Sequence, residues 1–164
     1  MSVELHRPFM VGQVPASGMQ VTVEATSAEC AALALRMGLP EVRAVRCRFH
    51  LTRVSNTIIS ATGVLSARVV QACVISAEDF EASVEERFSV RFVPLGTEVD
   101  DADPETDDEI PYENGMLDLG EAAAEQLGLG LDPYPRMPDA TLPEIEEEPE
   151  PHPFAALGRL QRPN

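Results

Sequence analysis

A chain of 164 residues, 44% apolar but only 5% aromatic and without Trp, has room for one domain around a core of Val, Leu, Ile and Ala. Its formal charge of −16 opposes long-range attraction to nucleic acid. Met1 to Gln20 lacks the basic start and apolar run of a secretory signal, and no window approaches the roughly 18 apolar residues of a membrane helix, so the expected location is the cytoplasm.

Met19 to Glu24 alternates apolar and polar residues, the pattern of a half-buried strand. Thr26-Ser27-Ala28-Glu29 reads as a capping box. It opens a short helix carrying Cys30, Leu33, Ala34 and Met37, which Gly38 and Pro40 stop. Val45, Cys47, Phe49 and Leu51 then alternate with Arg46, Arg48, His50 and Thr52, a strand with one apolar and one polar face. Ser55-Asn56-Thr57 is a turn, and a long strand follows from Ile58 to about Val74, with a bend or bulge expected at Gly63. Val84 to Val93 is a further strand, with Phe88, Val90 and Phe92 inward and Arg87, Ser89 and Arg91 outward. Asp118-Leu119-Gly120-Glu121 starts a second helix that runs through Ala122 to Leu129, and Leu131 to Pro135 is an extended exit.

Short connections between strands predict an α+β fold: a twisted antiparallel sheet, open or closed into a barrel, with one or two short helices packed on it. The expected organisation is a single domain over 8–162. An acidic flexible loop is expected over 98–115 and a Pro- and Glu-rich linker over 138–152. Phe154 to Leu160 has the composition of one helical turn able to dock on the body.

Charge is unevenly placed. Residues 1–97 hold nine Arg and nine Asp or Glu, whereas residues 98–151 hold one Arg against nineteen Asp or Glu. All twelve basic residues are Arg. The acidic loop, with Asp100, Asp101, Asp103, Glu105, Asp107, Asp108 and Glu109, lacks the glycine and closing glutamate of a calcium-binding EF-hand loop, and no dedicated metal site is expected there. Its charge suits steering toward a basic partner.

Catalytic signatures are missing from the sequence. No nucleophile elbow, zinc-protease helix, phosphate loop or dinucleotide fingerprint occurs. Two of the three histidines, His6 and His152, lie toward the ends, and His50 sits between arginines on a strand. Cys30, Cys47 and Cys73 are too few and too far apart for a disulfide framework or zinc knot and read as reduced core thiols. No catalytic residue, cofactor, metal or small-molecule substrate is assigned. The polar face Arg46–Arg48–His50 spaces its side chains about 6–7 Å apart, comparable to successive phosphates of a nucleic acid strand, and is the candidate RNA or partner contact. A solvated sheet face with local ion pairs is the alternative reading of the same residues.

Three segments together resemble the YceD family of bacterial proteins, most closely its alphaproteobacterial branch. They are Val69-Val70-Gln71-Ala72-Cys73-Val74-Ile75-Ser76-Ala77-Glu78-Asp79-Phe80, then Met116 to Pro135 with its Asp118-Leu119-Gly120-Glu121 opening and Pro133-Tyr134-Pro135 exit, and finally Pro153-Phe154-Ala155-Ala156-Leu157-Gly158-Arg159-Leu160. Cys73, Glu78, Asp118, Leu119, Pro133, Pro135, Phe154 and Leu157 occupy the family's motif positions. Ser76 stands where many members carry the second Cys of a pair, so any metal site formed by relatives is not expected here. The resemblance implies a role in accumulation of large-subunit (23S) ribosomal RNA and no known catalytic reaction. Three modes are compatible with it: protein contacts through the acidic segment, direct ribosomal RNA contact through the arginine face, or an acidic adaptor unrelated to ribosomes whose tail Pro153–Leu160 docks in a partner. Glu78 is expected to fix the turn after the long strand.

Overall fold

The backbone of β3 (Glu41–Arg53), β4 (Ile59–Ala72) and β5 (Asp79–Pro94) forms three long antiparallel strands, and the rest of the fold is arranged around them. In this computed structural model residues 4–97 and 107–144 are described. Strand β1 (Pro8–Met10) and a single 3-10 turn (Val11–Gln13) precede β2 (Met19–Glu24) and helix α1 (Ser27–Met37). After β5 come β6 (Asp108–Tyr112), β7 (Met116–Asp118) and helix α2 (Leu119–Gly130). The main sheet has the order β2-β3-β4-β5-β6, and β1 pairs with β7 in a two-stranded ribbon. The fold is α+β, and the sheet is open, ending at β2 and β6.

Each local signal has a visible structural cause. The Thr26 side chain accepts from the Glu29 N–H, and the Glu29 carboxylate accepts from the Thr26 N–H at 2.8 Å, which completes the capping box of α1. Gly38 ends the helix with φ 64°, where a side chain would be strained. Ser55 Oγ accepts from the Thr57 and Ile58 N–H groups and shapes the β3–β4 turn. Helix α2 starts at Asp118, whose carboxylate accepts from the Gly120 and Glu121 N–H groups.

Alternation along the strands divides the sheet into two faces. The inner face presents Val45, Cys47, Phe49 and Leu51 on β3, Ile59, Ala61, Leu65 and Ala67 on β4, and Val84, Val90 and Phe92 on β5, all buried. Cys30 and Leu33 of α1 and Leu119, Ala123 and Leu127 of α2 join them in one core, so both helices pack on this face. The three thiols are buried and free.

The α+β fold is as expected, and three details within it differ from the expectation. The sheet is not wholly antiparallel: β6 joins β5 in parallel. Residues 108–112, read as part of a flexible loop over 98–115, are that strand; Asp108 and Glu109 pair with Val90 and Arg91. Gly63 is no bulge, since pairing runs unbroken from Phe49 through Gly63 to Phe88. Its lack of a side chain seats the Phe88 ring, whose Cζ would lie 2.1 Å from an added Cβ, and that ring meets Phe49 edge-on with centroids 5.7 Å apart. The register irregularity instead falls between Val42 and Ala44, and Arg43 in that bulge pairs with Glu41 and Glu81.

Candidate functional site

The outer face of the main sheet is polar, and its side chains are sorted by strand. Central β4 contributes short side chains, Ser60, Thr62, Val64 and Ser66. On one side β3 carries Arg46, Arg48, His50 and Thr52, and on the other β5 carries Glu85, Arg87, Ser89 and Arg91. The register places them in rows: Arg46–Ser66–Glu85, Arg48–Val64–Arg87, His50–Thr62–Ser89 and Thr52–Ser60–Arg91. Short residues between two lines of long ones make a trough along β4. It is a concavity of about 640 Å³ whose lining includes Arg48, His50, Thr62, Arg87 and Ser89, with Gln20 at the β2 margin.

The trough is cationic. Arg46 makes a 3.3 Å ion pair with Glu24 across the β2–β3 register, and both side chains are more than half exposed, so the pair is weak and exchangeable. Among the described residues Arg48, Arg68, Arg87 and Arg91 enter no ion pair. Arg68 stands one row further along β4, opposite Ser83. The sequence-predicted group Arg46, Arg48 and His50 thus shares one face, and Arg87 and Arg91 complete it from β5. Their alternation is visible in the sequence; their adjacency depends on register, which periodicity alone does not give.

Arg53, by contrast, points away and holds the fold. Its guanidinium donates to Val14 O (3.0 and 2.7 Å), Val11 O (2.6 Å) and Asn56 O (3.3 Å).

The family-motif residues have structural roles where they are described. Cys73 is buried in the turn after β4, and its Sγ accepts from the Met137 N–H at 3.4 Å. Hydrogen bonds from the Ser76 hydroxyl and the backbone of Met137, Ser76 and Ile75 bring its thiol down to about 7. Ser76 Oγ also accepts from the Glu78 N–H, and the Glu78 carbonyl accepts from the Cys73 N–H. The turn is therefore closed by the Glu78 backbone; the exposed carboxylate enters no hydrogen bond among the described residues. Ala77 completes it with φ 60°.

Pro133 and Pro135 lie in an extended segment clamped against this turn. The Val74 N–H donates to Pro135 O, and buried Gln71 donates from Nε2 to Asp132 O at 3.1 Å. Asp118 caps α2 and also accepts from the Arg7 N–H and His6 Nδ1, while Leu119 is buried. Asp107 precedes β6. Asp100, Asp101, Asp103, Glu105, Phe154 and Leu157 lie outside the described residues. Among the described residues no group of three His, Cys, Asp or Glu is placed to hold a metal ion, and no helix is long and apolar enough to cross a membrane.

Fold and site together define a class: a small α+β protein with helices on one side of an open sheet and a cationic trough on the other. Residues 61–161 match the family model described as large ribosomal RNA subunit accumulation protein YceD, and the chain belongs to that family. The match contains all three segments that carry the sequence resemblance. No curated protein and no solved structure matches the chain. The family's description connects the chain with accumulation of the large ribosomal RNA at a coarse level.

Proposed function

We propose that this chain is a non-enzymatic accessory factor that supports synthesis, processing or stability of 23S ribosomal RNA by binding. The observation that carries the reading is the family match, which covers β4 from Ala61 on, β5 and the segment clamped beside them. The chemistry of the site fits it. The trough presents guanidinium and hydroxyl groups suited to holding an anionic partner. The acidic stretch 98–113 supplies the complementary pole, suited to steering a basic ribosomal protein or assembly factor in the cytoplasm.

The test is depletion of the protein in its own cells, followed by the ratio of large- to small-subunit ribosomal RNA and gradient profiles of the subunits. The expected result is a selective fall in the large-subunit RNA, restored by the full chain. An unchanged ratio with normal profiles overturns the ribosomal role and favours an adaptor function elsewhere.

A further inference from the structure

We infer that the trough along β4 is a seat for the sugar-phosphate backbone of single-stranded RNA, gripped from both sides by Arg48 of β3 and Arg87 of β5. This rests on the proposed ribosomal role and names the partner of the same site.

The geometry carries the inference in three steps. First, the dimensions suit one strand. The walls β3 and β5 are two strand spacings apart, about 10 Å; Thr62 to Val64 line the concavity between them, and the outer-face rows from Ser60 to Ser66 run about 20 Å, the length of about three nucleotides in an extended chain. Second, the chemistry suits phosphate. Arg48 and Arg87 occupy one row across Val64, Arg91 lies two rows further along β5, and none of the three is held by a carboxylate among the described residues. A guanidinium fork binds a phosphate oxygen pair bidentately. Thr62, Ser66 and Ser89 offer hydroxyls to phosphate and 2′-OH groups between these cations. Third, no free ring face is offered for base stacking: Val64 and hydroxyl side chains lie between the arginines, and although Phe49 and Phe88 also line the concavity, Phe49 is buried and Phe88 is packed edge-on against it, centroids 5.7 Å apart. Binding is thus backbone-directed, tolerant of sequence and strongly dependent on salt.

Apolar cover by another protein is disfavoured by the polar floor. An acidic peptide shares the charge of RNA and is the competitor to exclude.

The experiment uses the purified full chain and a fluorescein-labelled single-stranded RNA of mixed sequence, followed by anisotropy across a salt series. The double variant Arg48→Ala/Arg87→Ala is compared with Arg43→Ala/Arg136→Ala, which removes the same charge beyond the trough's end. The expected result is a loss of tenfold or more for the trough variant, with a salt slope shallower by about 1.4, at about 0.7 per phosphate contact. The control pair changes affinity much less. Equal losses in the two variants, absence of binding by the parent at low salt, or displacement of the RNA by polyglutamate at equal charge each overturn the inference.

Complementation separates this from the broader role. If depletion lowers the large-subunit RNA and the trough variant restores it fully, the ribosomal role stands and the RNA seat falls. If the trough variant loses RNA binding while depletion leaves the ratio unchanged, the seat stands and the ribosomal role falls.

Discussion

Glu29 shows how one side chain joins sequence motif, tertiary contact and pH response. Its carboxylate closes the capping box of α1 and at the same time receives both terminal nitrogens of Arg7, at 2.7 and 2.8 Å. The Arg7 hydrogen bonds, followed by those from Thr26, hold its pKa down at about 2, against an ordinary value of 4.5. A carboxylate depressed by folding contributes stability that is fully present above its unfolded value and is lost as pH falls through the folded one. Glu29→Gln should therefore lower unfolding free energy at neutral pH by about 1–2 kcal/mol, the loss of the charge-assisted contact to Arg7, since a Gln side chain can still close the capping box. The difference from the parent should shrink below pH 4.5 and approach zero near pH 2. Urea titrations at several pH values measure it, and a difference that stays constant with pH would contradict the assignment. The capping box was legible from Thr26 and Glu29 alone; the partner Arg7, from a segment 22 residues earlier, was not.

At the scale of elements, what could be read depended on whether the information was local. The helices and the long strands carry their own periodicity and punctuation, and they form where Thr26, Gly38 and Asp118 direct. The three-residue strands β1 and β7 are too short for any period, and β6 sits among aspartates that disfavour strands in isolation. Their formation is dictated by tertiary pairing, so only the folded chain reveals them. Gly120 marks one such long-range junction. An added Cβ there would lie 2.5 Å from Leu5 O and 2.9 Å from Arg7 N, backbone atoms of the segment leading into β1. That segment is tied to α2 by the Leu119 N–H to Arg7 O and the Arg7 N–H to Asp118, and it buries Leu5 completely. Gly120→Ala should thus destabilise the protein by about 1–3 kcal/mol, despite the better helix propensity of Ala. It should also raise hydrogen exchange at Arg7 and Leu119 ahead of β4. A stabilised variant would mean that the close approach is relaxed at little cost. The trough followed the same division: its β3 wall was visible as Arg46–Arg48–His50, but its β5 wall joined only when the register set Arg87 opposite Arg48 across Val64.

Across the whole molecule, the chain holds two poles of opposite sign that act over different distances. The trough arginines act at short range, whereas the excess of acid in residues 98–151 dominates the far field of a −16 protein. Under the proposed binding mode, RNA approaching the trough would be repelled at long range before being gripped, and a basic protein would be attracted. Substituting Glu146, Glu147, Glu148 and Glu150 together by Gln removes four negative charges without altering any trough residue. At about 10 mM salt, where the screening length is about 30 Å, this variant should bind single-stranded RNA several-fold more tightly and associate with a basic ribosomal protein several-fold more slowly. At about 150 mM, with screening near 8 Å, both ratios should fall toward one. Stopped-flow association rates with each partner measure the two signs on the same preparation. Ratios that persist undiminished at the higher salt would instead show that these glutamates touch the partners directly, which would replace steering by contact as the role of the acidic pole.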